Sequence, residues 1–71
     1  MYSFEEVKKL LLEQEKYVTY QSLSSQGQHT RLCTIPRDFQ KDSDKIVVWD
    51  INDKSWHDIQ INTILAIIDS V

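Results

Sequence analysis

The stretch Lys45–Ile61, KIVVWDINDKSWHDIQI, constrains the fold more than any other part of the chain. Ile46–Asp50 and Ser55–Ile61 are rich in β-branched and aromatic residues, and Ile51-Asn52-Asp53-Lys54 between them carries Asn-Asp turn chemistry. A loop of those residues sets a hairpin register that places Asp50 opposite Ser55 and Trp49 opposite Trp56. Val48 then faces His57, Val47 faces Asp58 and Ile46 faces Ile59. Because successive strand residues point to opposite faces, Ile46, Val48, His57, Ile59 and Ile61 share one face, the expected core. Trp49, Trp56, Val47 and Asp58 share the other, with the two indoles stacked across the ladder to pin the register.

A chain of 71 residues supports one domain, near the size at which a single core is barely sufficient. Hydrophobic content of 41% against 27% charged residues fits a folded protein rather than a disordered one. The net charge of -3 disfavours general binding to nucleic-acid backbones. One cysteine provides neither an internal disulfide nor a multi-thiolate zinc site. MYSFEEVKKLLLEQ has early acidic residues and a short apolar run, so it does not read as a signal peptide, and no stretch is long enough for a membrane span. The expected location is the cytoplasm.

Ser3-Phe4-Glu5-Glu6 reads as a capping box, with Tyr2 and Val7 at the hydrophobic-staple positions. Phe4, Val7, Leu10 and Leu11 recur at helical spacing, which predicts an amphipathic helix over about residues 3–14. From Lys16 the period becomes two. Tyr17–Leu23 and His29–Ile35 predict a first hairpin with a polar tip around Gly27, the only glycine. Val18 and Tyr20 fall on one side of its first strand. Leu32 and Thr34 alternate with Arg31, Cys33 and Ile35 on the second, and the pattern alone leaves the interior set open. Pro36 ends this strand, and Phe39 is expected to anchor the polar connection Arg37–Asp44. Asn62-Thr63 allows a tight turn before a last strand over Ile64–Ile68. The expected architecture is a mainly β (α+β) single domain spanning residues 1–71. Its N-terminal helix caps a five-stranded antiparallel barrel of the Sm-like or Src-homology-3 type over about residues 16–69.

Three segments, EVKKLL, VTYQSLSSQGQHTRLCTIP and VVWDINDKSWHDIQINTI, together resemble the small phage-encoded WYL-like family with an Sm-like barrel. The resemblance covers nearly the whole chain and is most specific at Val48-Trp49-Asp50 and at Trp56 followed by Ile59 and Ile61. His57 and Gln60 stand where that family usually carries arginines, a departure that bears on any anion binding by those arginines. The resemblance implies a tailed-phage origin and expression in the cytoplasm of a bacterial host. It implies no defined biochemical activity.

Trp49 and Trp56 read first as a structural cross-strand pair; the functional reading is a half-exposed aromatic platform for a partner, and the two are compatible. His57 is expected at the core-facing end of the hairpin as a hydrogen-bonded histidine. Cys33 and His29 lie roughly 13 Å apart along an extended strand, too far to share a metal or act as a nucleophile–base pair. Asp50, Asp53 and Asp58 lack the pattern of a calcium loop and read as turn-forming, with a negative patch toward a basic partner as the other use. No catalytic residue, cofactor or metal ligand is expected. The expected function is that of a non-enzymatic phage accessory protein, a small interaction module that docks on a host or phage protein. Partner-binding candidates are Trp49, Trp56, Asp58, His57, Arg31 and Lys54. The alternative is a nucleic-acid or small-ligand binder using Arg31, Lys54 and His57. Self-association through strand edges is also open.

Overall fold

Ser3 and Glu6 start the fold by satisfying each other's backbone. Glu6 N–H donates to Ser3 Oγ at 3.1 Å, and Ser3 N–H donates to Glu6 Oε1 at 3.3 Å. The computed structural model, which describes residues 1–22, 27–35 and 43–70, places helix α1 over Phe4–Glu13. Phe4, Val7 and Leu11 are its buried residues. Tyr2, at the staple position, packs against the core, and its hydroxyl accepts the Ile67 N–H at 3.2 Å.

Five strands follow: β1 (Lys16–Gln21), β2 (Gln28–Thr34), β3 (Lys45–Asp50), β4 (Ser55–Gln60) and β5 (Ile64–Asp69). They form one antiparallel sheet in the order β4-β3-β2-β1-β5. In the first hairpin Lys16 pairs with Cys33 and Gln21 with Gln28. Gly27 adopts φ 104°, a conformation that favours glycine, and its carbonyl accepts the Ser22 N–H at 3.2 Å. The expected strand end at Leu23, the tip over residues 24–26, Pro36 and the Phe39 anchor lie outside the described residues.

The second hairpin has the register read from its pattern. Ile46 pairs with Ile59, Val48 with His57, Trp49 with Trp56 and Asp50 with Ser55. Lys54 closes the loop in the left-handed region at φ 55°, its N–H donating to the Asp50 carbonyl at 2.7 Å.

The sheet does not close into a barrel, which corrects the expectation of a closed five-stranded one. β4 and β5 are the two edges of the sheet and are joined by one 3-10 turn, Ile61–Thr63. Thr63 Oγ1 donates to the Gln60 carbonyl at 2.7 Å, and Ile61 N–H donates to the Asp44 carbonyl at 2.8 Å. This turn carries the chain from one edge to the other without a ladder between them. The inner face is covered instead by α1. β2 and β3 share only two residue pairs, Cys33 with Asp50 and Thr34 with Trp49. A three-stranded part (β5-β1-β2) and a two-stranded part (β3-β4) therefore meet at a short seam.

The core lies between α1 and the inner face. Val7, Cys33, Ile46 and Val48 are fully buried, joined by Phe4, Leu11, Val18, Ile35, Ile59, Ile61 and Ile64. Each such aliphatic side chain contributes about 1.5–3 kcal/mol on transfer from water. The interior set of the first hairpin is thereby settled: Val18 on β1, Cys33 on β2 and Ile35 just beyond it face inward. Lys16 is buried on the same face and reaches out to Asp69 Oδ1 at 2.7 Å. Among the described residues, no helix is long and apolar enough to cross a membrane.

Candidate functional site

Sheet parity sorts the sequence candidates into two places on opposite faces. Trp49, Trp56 and Asp58 lie on the outer face, away from α1. Pairing aligns Thr34, Trp49 and Trp56 in one row across β2, β3 and β4. Leu32, Tyr17 and Ile68 form a second row across β2, β1 and β5, one same-face step along β2. Trp56 is 50% exposed, Tyr17 39% and Ile68 59%. The two indoles meet edge to face, with ring centroids 5.0 Å apart and planes at 68°, rather than stacked as their register alone had suggested. The outer face also holds Thr19 and Thr30, whose hydroxyls are 2.9 Å apart. Lys45 and Asp58 are the charged residues at outward-facing positions of the five strands. This surface is mostly uncharged in a chain with 27% charged residues.

Arg31 and His57 lie on the inner side, where the apolar core gives way to a polar end. Asp50 is 3% exposed there and organises its neighbours. Its Oδ2 accepts Arg31 Nη1 at 2.7 Å, and its Oδ1 accepts the Asp53 N–H at 2.9 Å. Arg31 Nε donates to the Tyr20 hydroxyl at 2.8 Å, and the Tyr20 ring lies against His29 with centroids 5.8 Å apart. Burial pushes the Asp50 carboxyl up. The Asp53 N–H and the Arg31 guanidinium outweigh it and hold the group below the usual aspartate value. The same Asp50 bond, aided by Tyr20, raises the already high pKa of Arg31.

On the loop side of Asp50, Ser55 Oγ donates to Asp53 Oδ2 at 2.7 Å. His57 Nε2 lies 3.2 Å from that same oxygen and 3.0 Å from Ser55 Oγ. Ser55, followed by His57, keeps Asp53 below the ordinary aspartate range. These three side chains do not make a nucleophile relay, because serine and carboxylate both address one ring nitrogen. A relay needs the base to meet the nucleophile with one nitrogen and its orienting acid with the other. Asp50, Asp53 and His57 nevertheless bring three potential metal-donor atoms within 4.8 Å of one another.

The first hairpin extends past this seam, leaving an open cleft of ≈ 400 Å³ lined by residues that include His29, Arg31, Leu32, Asp50, Asn52 and Asp53. Lys54 is exposed beside it, at the loop position that needs positive φ. Cys33 is buried, with burial and then Asp50 pushing its thiol up to about 12, so it is held as a core residue and not as a thiolate. Sequence reasoning missed Tyr20 and Ser55 and the joining of Arg31 to His57 through Asp50. The available signal was local for one half of this set: in D-x-x-D-x-S-x-H across a four-residue loop, the register itself turns Asp50, Ser55 and His57 to one face. No family model, curated protein or solved structure matches this chain.

Proposed function

We propose that this chain is a non-enzymatic interaction module that docks through the outer face of its sheet onto a protein with an apolar, weakly charged surface. The observation that carries the reading is the aromatic and aliphatic set on that face, with Trp56 half exposed beside Trp49 and with Tyr17 and Ile68 in the neighbouring row. Tryptophan and tyrosine dominate binding hot spots because they remove much apolar area at low entropic cost. The scarcity of charge selects against nucleic acid, whose affinity comes from phosphate contacts. Arg31, the best-placed cation of the nucleic-acid alternative, is engaged by Asp50.

The strand order and leading helix support kinship with Sm-like or Src-homology-3-type small barrels in an opened form. The phage resemblance makes a host or phage protein in the bacterial cytoplasm the proposed partner. The test is capture from bacterial lysate with the wild type and with Trp56→Ala, followed by titration of the purified captured protein. The expected result is an affinity that falls at least about tenfold in Trp56→Ala. An affinity that ignores Trp56 and Tyr17, or retention of single-stranded RNA at low salt with no protein partner, overturns the reading.

A further inference from the structure

We propose that the tip of the second hairpin binds one divalent transition-metal ion, with Asp50, Asp53 and His57 as its ligands. The site belongs to the inner, polar end of the sheet and does not depend on docking at the outer face.

The geometry is close to a coordination polyhedron. Bonds of about 2.0–2.1 Å in a tetrahedral site place donor atoms roughly 3.3–3.4 Å apart. Asp53 Oδ2 and His57 Nε2 are 3.2 Å apart, and Asp50 Oδ2 is 4.0 Å from the same nitrogen. All three donors lie within 4.8 Å of one another, and the 4.0 Å edge between Asp50 and His57 must shorten. His57 and Asp53 can supply the movement, because their side chains are 27% and 59% exposed while that of Asp50 is 4% exposed.

The surroundings favour a cation. Arg31 pairs with Asp50, and the exposed Asp53 carboxylate is left to Ser55 and the His57 ring. Arg31 and the Asp53 N–H fix the Asp50 carboxylate, as outer partners commonly orient metal ligands. A carboxylate has about four lone-pair sites, so Oδ2 can accept from Arg31 and still face the ion. A metal at Nε2 takes the lone pair of that nitrogen, and the ring N–H then stands on Nδ1. One nitrogen and two oxygens suit zinc and its neighbours, whereas calcium and magnesium prefer all-oxygen sets. Three protein ligands leave at least one position for water. All three come from one short hairpin segment whose ends are already paired, so little chain entropy opposes their convergence.

The experiment is calorimetric titration of the full chain with zinc ion, and a parallel titration with cobalt(II) followed by its visible absorption. Asp53→Asn and His57→Gln are the ligand variants, with circular dichroism confirming that each is folded. His29→Gln is the control, since the chain has two histidines. The proposal expects one zinc per chain, an affinity that falls at least about tenfold in either ligand variant, and no change in His29→Gln. It also expects zinc to raise the unfolding midpoint of the wild type, because a ligand of the native state stabilises it by mass action. Absence of saturable binding overturns it. So does binding that survives both ligand variants, or binding that is lost in His29→Gln alone.

Discussion

The two faces of the sheet are made from the same strands and obey opposite rules. On the inner face, α1 and the sheet exclude water from Ile46, Val48 and Ile59, and the polar groups that enter are partnered. On the outer face, larger and more hydrophobic rings such as Trp56 and Tyr17 stand partly in solvent on the side away from α1. Residue type alone therefore does not tell burial from exposure here, since Trp56 is more apolar than Asp50 and far more exposed. What differs is the cover. A residue under α1 carries the stability of the fold, whereas an outward aromatic has little to lose until a partner arrives.

The sharpest break of that contrast is a matched pair of truncations. Ile59→Ala opens a hole at a position that is 1% exposed and is expected to cost about 2–5 kcal/mol. Trp56→Ala removes a larger side chain that is 50% exposed and is expected to cost less, its edge-to-face contact with Trp49 contributing about 0.5–1.5 kcal/mol beyond the area it buries. Urea denaturation of both variants checks the ordering. Equal losses would mean that the outer indole pair is as much a part of the core as Ile59.

Asp50 tests the contrast from the polar side. Arg31→Met leaves a buried carboxylate without its cation and is expected to cost about 2 kcal/mol near neutral pH, discounted because the Arg31 side chain is 27% exposed. The sign with pH follows from the direction of the shift. In the wild type the Asp50 pKa is depressed, so its contribution is present above the unfolded aspartate value of about 3.9 and is lost as pH falls through the folded value. In Arg31→Met the guanidinium no longer opposes burial, so the same pKa stands higher than in the wild type, and protonation relieves the unpaired charge. The stability gap between the two proteins therefore narrows as pH is lowered from 7 toward 3. Urea midpoints across that range measure it, and a constant gap would show that Arg31 acts by packing alone.

Local physics made much of this legible from residues. The capping box around Ser3 and the register from Ile46–Ile59 to Asp50–Ser55 depend on neighbours in sequence, on alternation and on one turn. The open sheet was not legible, because alternation is the same in an open sheet and a closed barrel. Whether β4 meets β5 depends on the direction in which Ile61–Thr63 sends the chain. The Arg31–Asp50 pair was equally hidden. It exists because β2 and β3 cross at two residue pairs, and no periodicity encodes which two. Lys16 misleads in the same way: its charge suggests a solvent position, yet its stem is buried and only its ammonium reaches Asp69.

The smallest expected effect is at Lys54, where the two faces meet at the loop. Its φ of 55° costs a non-glycine residue about 1 kcal/mol or somewhat more, and Gly27 shows glycine at a positive φ in the other hairpin. Lys54→Gly removes that strain but gives the unfolded chain more freedom, worth about 0.4–1 kcal/mol in the opposite direction. The net expectation is stabilisation by a few tenths of a kcal/mol, whereas a β-branched Lys54→Val is expected to destabilise by about 1 kcal/mol. Both variants keep the N–H that closes the loop on Asp50, and both lose the ammonium. Opposite shifts in their urea midpoints would show that backbone geometry, not the charge, sets the role of this position in stability. Unchanged partner affinity in Lys54→Gly would then assign recognition to the tryptophan face.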